Sequence, residues 1–343
     1  MEKPIVSVII PVYNKREYIT ETVNSVLNQD FGSFEIIVVD DGSTDDSLEV
    51  VMSINDPRLQ IFSQSNSGVE RSRNFGFSKS VGPFVVFLDA DDLMSSTRLR
   101  KQVDLFNATK DLVMVGTWAS VIDHSGTIIG SIRPPASNTA LQLAHLFRNQ
   151  FVCSSVMIKR SALENGVVFN ETHGKRFAED FDLWLRVAKN GQVANIPEKL
   201  TAYRRLNASR SQSSDRSLLE SARDVSAEWL HLNTRCFESV ASARSFVLSI
   251  NGLDDLSPSV GCNVKTSLQT YKMLIHDLRM SNRPESSDEH RKVMNQHKSH
   301  IVIWCLVGKF PVTLQRKVFS LLNCFKSSQF ASWLVARITI RTS

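Results

Sequence analysis

An α/β fold with a mostly parallel central sheet is what this sequence predicts, on two observations. Near-continuous apolar runs at residues 5–10, 35–39 and 84–88, with a further run at 59–62, alternate with segments of helical periodicity. Strands apolar on both faces belong in sheets covered on both sides. Two of these runs lead straight into carboxylates, Asp40-Asp41-Gly42-Ser43 and Asp89-Ala90-Asp91-Asp92, and ligands of parallel α/β sheets lie beyond the carboxyl ends of the strands.

The elements follow in order. After the first strand, Ile19, Val23, Val26 and Leu27 fall at i, i+4, i+7 and i+8, an apolar stripe fit to pack on a sheet. Further helices are expected near 45–53 and 69–79. Ser96 is placed to cap a helix carrying Leu99, Val103 and Phe106. Residues 112–121 and 127–132 flank a turn at 123–126 as a hairpin, 134–138 read as a loop and 155–158 as a strand. A helix over 177–189 carries Phe181, Trp184, Leu185 and Ala188 on one face. Residues 204–217, rich in Arg, Ser and Asn, mark a flexible boundary between a domain at 1–215 and a mainly helical region at 216–343.

Composition excludes several classes. With 42% apolar and 22% charged residues in 343, the chain is of the ordinary globular kind. Its longest apolar run, 301–307, falls far short of the roughly 20 residues of a spanning helix, and no signal-peptide pattern opens the sequence. A cytoplasmic protein is expected. Five cysteines without a CxxC pair point to thiols rather than a disulfide or zinc framework, and the eight histidines show no ligand spacing. Nine of the 40 Lys and Arg lie in 290–343, which has no Asp or Glu; the remaining 31 stand against 35 acidic residues, so the rest of the chain is net −4. Cations interleaved with Trp304, Trp333 and aliphatic residues, and an apolar arc of Leu314, Val318, Leu321, Leu322 and Phe325, describe a membrane-surface element better than a nucleic-acid arm. Packing on the rest of the chain is an equal reading of that arc.

Acidic groups gathered at strand ends must stay hydrated, bind a cation or hydrogen-bond a ligand. Oxygen ligands suit Mg²⁺ or Mn²⁺, and Mg²⁺ is commonly shared between one or two carboxylates and substrate phosphates. The plain alternative is that Asp40 to Ser43 and Asp92 cap the helices that follow. Neither GxGxxG after the first strand nor GxxxxGK[ST] is present, which removes the dinucleotide fingerprint and the P-loop. A diphosphate site of another design remains.

These residues resemble the family 2 glycosyltransferases of the GT-A fold. Pro11-Val12-Tyr13-Asn14 closing the first strand, Asp40-Asp41-Gly42-Ser43, Asn66-Ser67-Gly68 with Arg73-Asn74-Phe75-Gly76, Asp89-Ala90-Asp91-Asp92, and Glu179-Asp180 before Leu183-Trp184-Leu185-Arg186 occur in the family's order over about residues 4–210. The resemblance implies a nucleotide-sugar site of Pro11, Tyr13, Asp40, Asp41, Arg73, Asp89, Ala90 and Asp91. Tyr13 and Asp41 would hold the base, Arg73 would lie near the nucleotide or its phosphates, and Asp91 with Asp89 would hold Mg²⁺ or Mn²⁺. It implies inverting transfer of a sugar from a nucleoside-diphosphate sugar, a UDP-sugar by preference, to a hydroxyl of a glycan or lipid-linked saccharide, in bacterial surface polysaccharide synthesis. Asp180 is the expected base, beside Glu179, with a like charge and burial to raise its pKa.

One departure concerns Tyr203-Arg204-Arg205-Leu206, where the family often carries a histidine at the place of Leu206; Arg204 or Arg205 is the available substitute. A processive synthase would carry Gln-x-x-Arg-Trp, which is absent. The remaining rivals are a non-catalytic nucleotide-sugar or membrane scaffold, disfavoured by the intact Asp91 and Asp180, and a nucleic-acid binder using the basic end. Attachment to the inner face of the cytoplasmic membrane, through anionic lipid, is the expectation for 290–343.

Overall fold

Four strands rich in Val, Ile and Phe, β1 (Val6–Val12), β2 (Phe34–Asp40), β3 (Leu59–Ser63) and β4 (Phe84–Phe87), pair in parallel in the order β3-β2-β1-β4. Helices α1 (Ile19–Leu27), α2 (Ser47–Met52) and α3 (Val69–Lys79) connect them. The computed structural model describes residues 3–163, 168–171, 178–206, 215–251 and 269–274. They fall into two units, the first taking residues up to 141 and from 149 to 219, the second 142–148 and those from 220 on.

The chain continues with β5 (Leu93–Met94), α4 (Arg98–Ala108), the hairpin β6 (Leu112–Ile122) and β7 (Ile128–Ile132), α5 (Asn138–His145), whose residues from Gln142 on are counted with the second unit, and then β8 (Met157–Lys159), α6 (Glu179–Ala188) and β9 (Gln192–Arg204) of the first. β8 runs antiparallel between β4 and β6, β9 lies parallel to β6, and β5 closes the far edge of the sheet against β9. This is the GT-A architecture, an α/β fold whose parallel centre carries antiparallel additions on one side.

The doubly apolar strands are explained by two cores. Successive side chains of a strand point to opposite faces. Ile9, Ile37, Val39, Val85 and Phe87 turn to a core shared with Phe77 of α3 and Trp184 of α6. Val8, Ile10, Ile36, Val38 and Val86 turn to the other, with Ile19, Val23 and Val26 of α1 and Leu99 and Val103 of α4. Helix α3 lies so close to β1 that a Cβ on Gly76 would stand 2.5 Å from Cγ2 of Ile9.

Several local readings change. Ser96 does not cap α4: Thr97 stands at the cap without a side-chain bond, and the N–H of Leu99 is satisfied by Oε1 of Gln29 at 3.0 Å. The expected loop at 134–138 ends one residue early, because Asn138 opens α5. The strand expected at 155–158 is β8, preceded by a 3-10 turn, Cys153–Ser155. Strand β9 escapes periodicity because Pro197-Glu198-Lys199 interrupts its alternation where its register with β6 shifts, between Thr117 and Trp118. β5 has two residues, too few for any pattern.

The described part of 216–343 is helical apart from the turn at 234–239, with α7 (Asp215–Asn233), α8 (Val240–Asn251) and a helical segment at 269–274. Phe246 packs on Phe237 and Phe147 at ring distances of 5.2 and 6.1 Å, and Ser226 Oγ donates to the Leu146 carbonyl. The stretch 207–214, Cys262, Cys305, Cys324 and the basic, apolar end at 290–343 lie outside the described residues. Among the described residues, no helix is long and apolar enough to cross a membrane.

Candidate active site

The C-terminal ends of β1 and β2 meet in register, Val12 beside Asp40, and the Asp41 N–H donates to the Val12 carbonyl at 2.8 Å. The chain then leaves β1 through Tyr13 and Asn14. Asn14 adopts φ 51°, which asparagine tolerates, and its Oδ1 accepts the Thr44 N–H at 2.8 Å, tying the two turns together. Gly42 has φ 72°, and a Cβ there would meet the Asn66 nitrogen at 2.8 Å. Tyr13 is 46% exposed beside this turn, while Pro11 is buried within β1.

Buried Asp41 organises the neighbouring loop. Its Oδ1 accepts Gln64 Nε2 at 2.8 Å and the Ser67 N–H at 2.9 Å; its Oδ2 accepts the Gly68 N–H at 2.9 Å and keeps a second lone pair. Asp40 accepts the Ser43 N–H and Ser63 Oγ, each at 3.3 Å. Neither aspartate caps a helix, since α2 begins at Ser47 behind Asp46, and Asp92 stands well before α4. The capping alternative therefore fails at both acidic clusters.

The loop after β4 is held from every side. Ala90, buried, gives its carbonyl to Thr22 Oγ1 at 3.0 Å, and the Asp89 N–H donates to Ser154 Oγ at 3.1 Å. Arg204, at the end of β9, donates its backbone N–H to Asp92 Oδ1 at 2.7 Å and Nε to the Asp91 carbonyl at 2.9 Å. Its Nη1 reaches the carbonyls of Asp123 and His124, and its Nη2 reaches Glu21 Oε2 at 2.7 Å. Arg204, a substitute considered for the missing histidine, is thus engaged within the protein, and exposed Arg205 is the freer cation. Beneath the loop, burial and the charges of Asp89 and Asp91 push the Asp92 carboxyl well up. Burial pulls Arg98 down to about 9 against the attraction of Asp92.

Asp89 and Asp91 point their carboxylates toward cations: Asp89 Oδ1 lies 2.7 Å from Arg73 Nη2, and Asp91 Oδ2 lies 2.6 Å from Lys15 Nζ. Burial, with the charge of Asp89, pushes Asp91 up despite Lys15. Among the described residues, no group of three or more His, Cys, Asp or Glu could hold a metal ion. The donor set nonetheless fits a hard dication: two mutually repelling carboxylates, already drawing positive groups, would supply the protein's share of a sphere completed by phosphate and water.

At the far side of Arg73, Nη1 lies 3.2 Å from Glu179 Oε1. Glu179 and Asp180 open α6, whose Phe181, Leu183, Trp184, Leu185 and Val187 are buried and fix the helix to the core. Asp180 accepts Asn149 Nδ2 on Oδ2 at 3.0 Å and its neighbour's Phe181 N–H on Oδ1 at 2.7 Å. Burial first, then Glu179, raises its carboxyl to about 7, and Arg73 pulls the other way. That is the range in which a carboxylate works as a base near neutral pH. The Cys153 thiol stands among these charges, and burial pushes it well up, so no thiolate competes as nucleophile.

Asn149, Lys15, Ser154 and the anchoring role of Arg204 are not legible in the sequence. Asn149 lies 31 positions from Asp180 in a segment without pattern, and Lys15 is separated by 76 from Asp91.

The structure places an exposed aromatic, Tyr13, at the end of β1, a densely hydrogen-bonded acidic loop after β4, and the buried, raised carboxylate of Asp180 at the start of α6. The profile described as Glycosyl transferase family 2 matches residues 7–166. The chain is 34% identical over 213 residues to the putative teichuronic acid biosynthesis glycosyltransferase TuaG of Bacillus subtilis, covering 60% of this chain and 81% of that protein. It belongs to glycosyltransferase family 2. It is also 29% identical over 206 residues to WfaP of Escherichia coli, named a UDP-Glc:alpha-D-GlcNAc-diphosphoundecaprenol beta-1,3-glucosyltransferase, over 60% of this chain and 78% of that one. Two uncharacterized glycosyltransferases of Haemophilus influenzae are matched over 65% and 66% of their own length, just under two thirds. The crystal structure of Staphylococcus aureus TarS 1-349 in complex with UDP-GlcNAc shares the fold, with TM-score 0.57, 19% identity, and coverage of 87% of this chain and 91% of that one.

Proposed function

We propose that this chain is an inverting glycosyltransferase that moves a sugar from a nucleoside-diphosphate sugar, a UDP-sugar by preference, to a hydroxyl of a glycan or lipid-linked saccharide. The setting is bacterial surface polysaccharide synthesis. One observation carries the reading: a single buried arginine, Arg73, pairs with Asp89, on the loop that also bears Asp91, and with Glu179, the neighbour of the raised carboxylate Asp180. The relatives' names, one in teichuronic acid synthesis and one using UDP-Glc on a lipid diphosphate, support the donor and acceptor classes.

In this reading Tyr13 stacks on the base, and Asp41, beside Asp40, accepts from the base N–H through its remaining lone pair. Pro11 and Ala90 form apolar walls, and Asp89 and Asp91 face the diphosphate and sugar. Mg²⁺ or Mn²⁺ held by Asp91 and Asp89 would supply charge stabilisation for the departing diphosphate. Lys15, paired with Asp91 at 2.6 Å, would have to release that carboxylate for it to hold the metal. Asp180, kept in orientation by Asn149, takes the proton of the acceptor hydroxyl as its oxygen attacks the anomeric carbon from the face opposite the diphosphate. Glu179 keeps Asp180 basic by repulsion. The anomeric centre inverts in a single displacement, with no covalent intermediate on the protein. Peripheral attachment to anionic membrane through 290–343 completes the proposal.

The test is a panel of nucleoside-diphosphate sugars with Mn²⁺, read by hydrolysis and by thermal shift. One sugar nucleotide that both stabilises the chain and is slowly hydrolysed supports the reading. A panel without stabilisation or turnover refutes it and leaves the non-catalytic scaffold.

A further inference from the structure

Arg73 stands between the two acidic elements with its side chain 4% exposed. Its two terminal nitrogens diverge, Nη2 to Asp89 Oδ1 at 2.7 Å and Nη1 to Glu179 Oε1 at 3.2 Å. The guanidinium carbon lies 5.0 Å from the centre of the Phe169 ring. A planar fork that is always charged is the side chain suited to spanning two carboxylates in fixed geometry; a lysine is a point charge and serves one of them.

The helix that carries this fork is itself immobilised. Gly76 of α3 is in close approach to Ile9 of β1. Asn74, next to Arg73, accepts the N–H groups of Val168 and Phe169 at 3.1 and 2.8 Å and donates to the Phe169 carbonyl at 2.9 Å and Glu171 Oε1 at 2.8 Å. The segment bearing the Phe169 ring is therefore tied to the helix bearing the guanidinium.

We propose that Arg73 is a positioning residue, a bridge that sets the spacing between the donor-side carboxylate Asp89 and the acceptor-side pair Glu179 and Asp180, instead of a contact to the nucleotide. This rests on the preceding reading only in naming which side is donor and which acceptor. The bridge makes the two sides interdependent. Loss of Glu179 frees a prong for Asp89 and tightens that pair, while loss of Asp89 does the same for Glu179. Bound phosphate would find little of the guanidinium to touch, because both prongs are engaged and the group is buried.

The bridge is tested without any ligand by thermal unfolding of the full chain carrying Asp89→Asn, Glu179→Gln and both, in the wild-type and Arg73→Lys backgrounds. In the wild-type background the two shifts fail to add by about 2 °C or more; in the Arg73→Lys background they add. Additivity in both backgrounds overturns the bridge. Calorimetry with UDP and Mn²⁺, alongside turnover, then separates positioning from contact. Arg73→Lys is expected to keep UDP affinity within about threefold while kcat falls about 10²-fold, the cost of misplaced reacting groups. A tenfold or greater loss of UDP affinity, on the order of 1.4 kcal/mol, with kcat unchanged makes Arg73 a nucleotide contact and overturns the proposal. Should the wild-type chain bind no nucleotide, the glycosyltransferase reading falls, and the unfolding cycle still decides the bridge.

Discussion

Asn149 donates a hydrogen bond of 3.0 Å to Oδ2 of Asp180, so the carboxylate assigned as base is oriented by a residue from outside its own helix. The bond favours the charged form, as Arg73 does, yet burial and Glu179 outweigh both and leave the group near 7. Asp180 is therefore poised by opposing effects, and each can be removed separately.

Asp180→Asn should reduce transfer about 10²–10⁴-fold, the usual worth of a positioned base, with donor affinity nearly intact. Retained turnover at a comparable rate excludes Asp180 as base. In the wild type, kcat/KM should fall below a pH of about 7 as Asp180 takes up a proton. Asn149→Ala, which removes a donor to the charged form, should move that limb to higher pH.

The same carboxyl has a stability signature. Its pKa is raised from 3.8 to about 7 on folding, so its contribution is most favourable below pH 4 and declines as pH rises toward 7. Asp180→Asn removes this penalty. The variant should melt about 2–4 °C above the wild type at pH 8 and without advantage at pH 4; an equal shift at both pH values would assign the effect to packing.

Tyr13, 46% exposed at the end of β1, should matter for ligand and little for folding. Tyr13→Ala is expected to weaken nucleotide binding by about 1–3 kcal/mol, the range for loss of an aromatic stacked on a base, with a melting temperature within about 1 °C of the wild type, as for surface changes generally. Calorimetry with UDP and a thermal melt read the two halves of this expectation.

Arg204→Met should unfold more easily, because five side-chain and backbone acceptors on the acidic loop, the hairpin turn and α1 depend on that residue, and the side chain's share goes with it. A loss of about 2 kcal/mol or more in denaturant titration is expected, in line with breaking a buried network. Intact stability with reduced UDP affinity would instead return Arg204 to the phosphates.

The parallel centre was legible because its strands are buried on both faces, and the ordered acidic clusters were legible because they terminate those strands. What the sequence concealed depends on distant pairing. β9 hides behind Pro197, Asn149 reaches Asp180 across 31 positions, and Lys15 finds Asp91 across 76. Ser96 is no cap because Gln29, two residues beyond the end of α1, supplies the bond that the local chain would otherwise have to give. Local chemistry announces its own strand and helix; partners brought together by the sheet do not.

A methyl group withheld at Gly76 lets α3 settle against Ile9, and Arg73 sits one turn earlier on that helix. Gly76→Ala would push the helix outward and carry the guanidinium with it, away from two carboxylates on separate segments at once. A lesion remote from any substrate would then look, in kinetics, like damage to the chemistry itself.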